Sequence, residues 1–147
     1  MPKITQAPEA DAPNAPTERA ATNLLKSAHL GEIVRLMLAT ERFRTMPLSK
    51  LESLVIPGIA TGQYGVLEAD DPKAGARRTV AAGLWAYVSQ DVEVRLIEDE
   101  KSGRQSQLTP AEWVSGDRPR LVLAIGEQKA VEALLVELKK NLFERRS

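Results

Sequence analysis

The chain's one histidine, His29, is its ordinary candidate for a general base near neutral pH. A single histidine excludes multi-histidine metal centres, and cysteine is absent, so disulfides, thiolate metal sites and cysteine nucleophiles are excluded together. No metal or cofactor is expected. Within the segment Gly58-Ile59-Ala60-Thr61-Gly62 neither G-x-G-x-x-G nor G-K-[ST] occurs, so phosphate cradling is not expected there. Asp70 and Asp71 stand side by side before Pro72, a context in which carboxylates form solvated turns more often than acid–base pairs. Trp113 with Ser115-Gly116-Asp117-Arg118 is more suggestive. A short turn holding glycine, an acid and an arginine either locks an internal ion pair or offers donors to a ligand. The residues alone favour the structural role, for this turn and for His29 alike.

These residues need elements to hold them. Residues 24–40 read as a helix, with Leu30, Ile33, Val34, Met37 and Leu38 on one face and Gly31 weakening it by about 1 kcal/mol relative to alanine. Ser49-Lys50-Leu51-Glu52 matches a capping box, and Pro57-Gly58 is expected to stop that short helix. Residues 63–69 and 79–88 read as strands joined through a turn at 70–75, giving a hairpin. Residues 89–98 are ambiguous. Val92, Val94 and Leu96 alternate like a strand, yet Ser89 followed by Asp91 is a helix start. Thr109-Pro110-Ala111-Glu112 is a second capping box, residues 115–119 a turn, and 120–125 a strand. Residues 127–145 form the clearest helix, striped by Ala130, Val131, Leu134, Leu135, Leu138 and Leu142. The outline is α+β.

Lys plus Arg and Asp plus Glu both number 20 in 147 residues, so the net charge is zero and no nucleic-acid partner is indicated. No apolar run approaches the length of a membrane span, and the start lacks a secretory or transit pattern, so a cytoplasmic location is expected. The first twenty residues hold four of the nine prolines and no aromatic side chain. Residues 1–21 therefore read as a flexible Pro/Ala-rich tail, and 22–147 as one domain.

Several of these pieces resemble, in order and spacing, the RTX toxin-activating lysine acyltransferases, the hemolysin-activating proteins. They are Leu30-Gly31, then Arg44 and Pro47, Ile56-Pro57-Gly58-Ile59, Gln63-Tyr64, Leu67, Trp85-Ala86 and Glu112-Trp113-Val114-Ser115-Gly116-Asp117-Arg118. The last is the most specific. The resemblance implies a GNAT-like sheet packed with helices, here shortened at the C-terminus. It implies a fatty acyl group taken from acyl carrier protein and placed on internal lysines of a pore-forming toxin, and a tendency to dimerise. Arg44, Trp113, Ser115, Gly116, Asp117 and Arg118 are then the expected site-shaping residues, with Asp117 and Arg118 as an internal ion pair.

The likeness stops at the chemistry. The family's catalytic histidine, in H-R-x-W-P, falls on Phe43 of Phe43-Arg44-Thr45-Met46-Pro47, and its aspartate, six residues past the turn's own, falls on Leu123. A lysine amine with a pKa near ~10.4 must lose a proton before it attacks a thioester, and a positioned base contributes about 10²–10⁴-fold to such a step. Phe43 accepts no proton, and His29 lies too far before it in sequence to be a register slip. The expected function is therefore binding without catalysis, with acyl carrier protein, a larger complex or a second copy as partner. The alternatives are an accessory subunit of a larger complex and an active enzyme with a rearranged site using His29, Asp117 or Glu112. A carrier-protein binder needs a basic rim, for which Arg77, Arg78, Arg118 and Arg120 are the candidates. Phe43 and Leu123 are expected to share one pocket.

Overall fold

The computed structural model describes residues 3–6 and 16–144. Helix α1 (Pro16–Leu38) opens on a proline, favoured in a first helical turn, and carries Glu18 near its start and Arg35 near its end, which complements the helix dipole. Its buried stripe is His29, Ile33, Leu36 and Met37. This differs from the expected stripe in that Leu38 stays exposed and a histidine lies on the inner face. Tyr64 makes that possible by satisfying the imidazole. A short helix α2 (Glu41–Arg44), a 3₁₀ turn (Leu48–Lys50), α3 (Leu51–Leu54) and α4 (Ile56–Thr61) follow.

Two expectations fail here for local reasons. Ser49 makes no side-chain cap, because the 3₁₀ turn occupies its position and α3 begins later, at Leu51 with Lys50 as its N-cap. Pro57 starts α4 rather than stopping a helix, since a proline in the first turn has no hydrogen-bonding N–H to lose, and Gly62 in the left-handed conformation ends it.

The sheet is antiparallel throughout, in the order β1-β2-β3-β4: β1 (Lys3–Gln6), β2 (Tyr64–Asp71), β3 (Ala76–Val88) and β4 (Arg118–Gly126). A flexible tail is expected over 1–21, yet residues 3–6 pair with β2 and those from 16 onward are helical; residues 1, 2 and 7–15 lie outside the described residues. The β2–β3 hairpin turns through Asp71, whose Oδ1 accepts from Lys73 N and Ala74 N, so this aspartate is the turn former its proline context suggests. Helix α5 (Gln90–Lys101) settles the ambiguous segment, with Ser89 Oγ accepting from Val92 N at 3.3 Å. Helix α6 (Gln128–Leu138) continues into a π-helical turn, Lys139–Glu144.

β3 is covered on both faces, which is why it reads as a nearly unbroken apolar run. Ala82, Leu84, Ala86 and Val88 face a core shared with Ile33, Met37, Val55, Ile59 and Trp113. Ala81 and Trp85 point the other way, to Leu134 and Leu138 of α6. The result is three layers, with helices on both sides of one sheet: an α+β fold.

Candidate functional site

A cavity of about 770 Å³ opens where α2, α3, the end of α5, the loop after it and β4 meet. Phe43 and Leu123 both line it. They come from opposite ends of the domain. Phe43 sits on α2, half-buried against the core, and Leu123 is buried on β4 opposite Leu84. A regular strand sends alternate side chains to opposite faces. β4 departs from this beside the cavity. Leu84 pairs with Leu123 while Trp85 pairs with Leu121, leaving Val122 as an extra residue. Such a bulge re-aims side chains, and Leu121, Val122 and Leu123 all line the cavity.

The floor is apolar. Leu108 and Leu123 are buried, and Met46, Leu54 and Leu96 are half-buried. The charged liners are Arg42, Lys50, Arg104, Arg120 and one acid, Glu100, which lies 3.8 Å from Arg120. Arg42 stacks on the Phe43 ring with its guanidinium carbon 4.5 Å from the centroid. Among the described residues no group of three or more His, Asp or Glu side chains is placed to hold a metal ion, and no helix is long and apolar enough to cross a membrane.

The W-x-S-G-D-R stretch is structural in its contacts. Trp113 is fully buried and donates from Nε1 to Ser53 O at 3.0 Å, while its own carbonyl accepts from Gln63 Nε2 and Tyr87 N. Ser115 Oγ accepts from Ser89 N and donates to Glu112 O, and Gly116 N donates to Tyr87 O. Arg118 reaches Glu93 of α5 at 2.9 Å, where the helix N-terminus lies beside the strand start. Arg44, Trp113, Ser115, Gly116, Asp117 and Arg118 are not among the cavity's lining residues. The contacts of Trp113, Ser115 and Gly116 fasten the end of β3 to the segment before β4. Of the four arginines suggested as a basic rim, Arg120 lines the cavity, whereas Arg77 and Arg78 pair with Asp70, Asp71 and Glu127 at the hairpin.

A scan against family models matches the RTX toxin acyltransferase family over residues 22–147. The chain belongs to that family. An uncharacterized protein of Synechocystis is 27% identical over 114 residues, 78% of this chain and 71% of its own length. The protein-lysine myristoyltransferase of Kingella kingae is 34% identical over 93 residues, and the RTX-I toxin-activating lysine-acyltransferase of Actinobacillus pleuropneumoniae is 32% identical over 89. These two matches cover 63% and 60% of this chain, and the chain spans 49% and 45% of those relatives' lengths.

For an RTX toxin acyltransferase the three alternative bases are poorly disposed. His29 is buried against β2, with Nδ1 hydrogen-bonded to Tyr64 Oη at 2.6 Å. Glu112 forms a two-pronged ion pair with Arg95 and accepts from Thr109 N, and the Arg95 hydrogen bond above all lowers its pKa. Asp117 is exposed. None of the three lines the cavity. The sequence signals missed Arg42, Lys50 and Arg104, which carry no motif; only their placement on three separate segments beside β4 brings them together.

The His29–Tyr64 pair makes a pH prediction. Burial lowers the His29 pKa from 6.5, with Glu68 and Glu32 partly opposing, and raises that of Tyr64 to about 12. A lowered histidine pKa means the unfolded chain takes up its proton first. Stability present above pH 6.5 is therefore lost as pH falls below it. Tyr64, raised from 10.0, has its contribution in place below pH 10 and loses it between there and about pH 12. Urea midpoints between pH 5.5 and 7.5 should fall toward acid in the native protein and fall less in His29→Gln; equal slopes would contradict the assignment.

Proposed function

We propose that this chain is a member of the acyltransferase family that binds without transferring. Family membership supports an acyltransferase-like function. Non-catalytic binding is supported by one observation above the others: the two positions where the family carries its histidine and aspartate line a common cavity here and are both apolar, Phe43 and Leu123. Transfer to a lysine needs a group that removes the amine proton in the transition state. The cavity offers four cations and Glu100, whose carboxylate faces Arg120. Cations near the amine favour its neutral, nucleophilic form, but none of them accepts a proton at neutral pH.

In this reading the protein works in the cytoplasm through a protein partner, with acyl carrier protein, a larger complex or a second copy as the candidates. The accessory-subunit form of the proposal has its own support. Leu24 and Leu25 are exposed on α1, at 72% and 41%, a pair of apolar side chains that a neighbouring chain would cover.

The test uses the full chain and an acyl carrier protein loaded with a fatty acyl thioester, followed by a thiol reagent. The expected release of free thiol equals the uncatalysed rate, with or without a lysine-bearing acceptor protein. Release accelerated a hundredfold or more by the native chain would restore the active-enzyme reading.

A further inference from the structure

Helix α1 is one element, but only its second half is seated in the domain. No residue from 17 to 28 is buried, whereas His29, Ile33, Leu36 and Met37 all are. An unpacked helix of about a dozen residues is marginal in water, so the order of residues 17–28 depends on what fastens them beside the domain. Two contacts do so. Lys26 Nζ donates to Ala60 O of α4 at 3.1 Å, and His29 Nδ1 meets Tyr64 Oη at 2.6 Å with the rings edge to face. Just past them stands Gly31, exposed and with nothing within 4 Å of an added β-carbon, where the helix is intrinsically weak.

The seat allows one proton arrangement. Tyr64 is fully buried, and its hydroxyl has no other hydrogen-bond partner among the described residues. As a phenol it donates to an unprotonated Nδ1, which requires the neutral imidazole. A second proton on the ring gives Nδ1 a hydrogen of its own, and two donors then face each other. The phenol has to turn its hydrogen away from its one acceptor, beside a charge that burial already disfavours. Around the ring, Glu68 of β2, which Lys3 of β1 faces in register, and Glu32 of α1, paired to Arg35 at 2.9 Å, favour the cation. Burial outweighs both acids. Lys26, one turn back, adds a like charge, and α4 carries no titratable side chain.

We propose that the first half of α1 is an acid-released arm: a second proton on His29 unseats it from Tyr64 and frees residues 17–28 about Gly31, while Ile33, Leu36 and Met37 hold the rest of the helix. Leu24 and Leu25 ride on this segment, so the same proton decides whether they are presented on a seated helix. The proposal is independent of whether the chain transfers an acyl group.

Amide hydrogen exchange of the full chain at pH 7.5 and 5.5, read by mass spectrometry and corrected for the intrinsic rate, tests this. A group that takes its proton only in the open state, at the ordinary histidine value of 6.5, raises opening by about 10-fold one pH unit below it. Protection of residues 21–28 should therefore drop by about that factor at pH 5.5, while residues 33–38 of α1 and 80–88 of β3 keep theirs. In His29→Gln the two pH values should give the same protection. Gly31→Ala should raise protection of 21–28 at both, because alanine stiffens the hinge. Equal loss in 21–28 and 33–38, no loss in either, or a loss that survives His29→Gln would each overturn the proposal, and Gly31→Ala without effect would overturn the hinge. If His29→Gln does not fold, the contrast between the two halves of α1 in the native chain decides by itself.

Discussion

Trp113→Ala should lower the stability of the domain by about 3–5 kcal/mol, the range for emptying a large buried aromatic site. The indole is fully buried in the core between the helical layer and β3, and it has two reasons to resist collapse of the space around it. Its rim lies where a β-carbon on Gly58 would stand 2.9 Å away, so α4 is already as close as a glycine allows. Its Nε1 donates to Ser53 O, which would be left without that donor. Trp113→Phe keeps much of the ring, loses the hydrogen bond at about 0.5–1.5 kcal/mol plus a smaller void, and should fall between native and alanine. Urea unfolding of the three proteins measures this. An alanine variant within 1 kcal/mol of native would mean that the tryptophan does not anchor the domain.

Gly116→Ala is the second large effect. A β-carbon there would lie 2.4 Å from Val88 O and 2.5 Å from Ser89 N, and both neighbours are backbone, so neither can swing aside as a side chain would. The same residue donates its N–H to Tyr87 O, next to the parallel bridge between Tyr87 and Val114. Substitution must therefore part the chain from the end of β3 or distort both. The expected loss is about 3 kcal/mol, the upper part of the overpacking range. Gly31→Ala is the matched control. It sits on the exposed face of α1 with nothing within 4 Å of the added carbon, and it should gain about 0.5–1 kcal/mol from helix propensity. Opposite signs for the two glycines are the result to look for; a neutral Gly116→Ala would contradict the close approach.

The strands β2, β3 and β4, the hairpin between the first two and the stripe of α6 were legible because each is set by local periodicity and a local turn. So was the capping box at Thr109 and Glu112, where the predicted reciprocal bonds form. Helix α5 was not, because Val92, Val94 and Leu96 fit both periods. The Ser89 cap decides it, and the helix turns Val92 and Leu96 inward while Val94 stays 48% exposed. β1 was hidden because its partner in β2 is some sixty residues away along the chain, Lys3 against Glu68. The pairing has no local signature.

The candidate site was half legible. The family resemblance picked out Phe43 and Leu123, and both line one cavity. It also drew attention to the W-x-S-G-D-R stretch, whose contacts belong to the fold. The tryptophan, serine and glycine each spend their polar groups on neighbouring backbone, and the arginine on Glu93. The cations around the opening come from α2, the 3₁₀ turn, the loop after α5 and β4, so only the three-dimensional arrangement collects them. The bulge at Val122 is equally invisible in the residue types, and it lies where three consecutive β4 residues line one cavity.

The central claim, that a family site at Phe43 and Leu123 binds without transferring, is tested most directly by intact-mass spectrometry of a lysine-bearing acceptor protein. The acceptor is incubated with a fatty acyl carrier protein thioester and either the native chain or Phe43→His/Leu123→Asp. The native chain should leave the acceptor mass unchanged relative to an enzyme-free control. The double variant returns both ionisable groups and should add at most a trace of acyl-lysine. Stoichiometric acylation of the acceptor by the native chain would contradict the account.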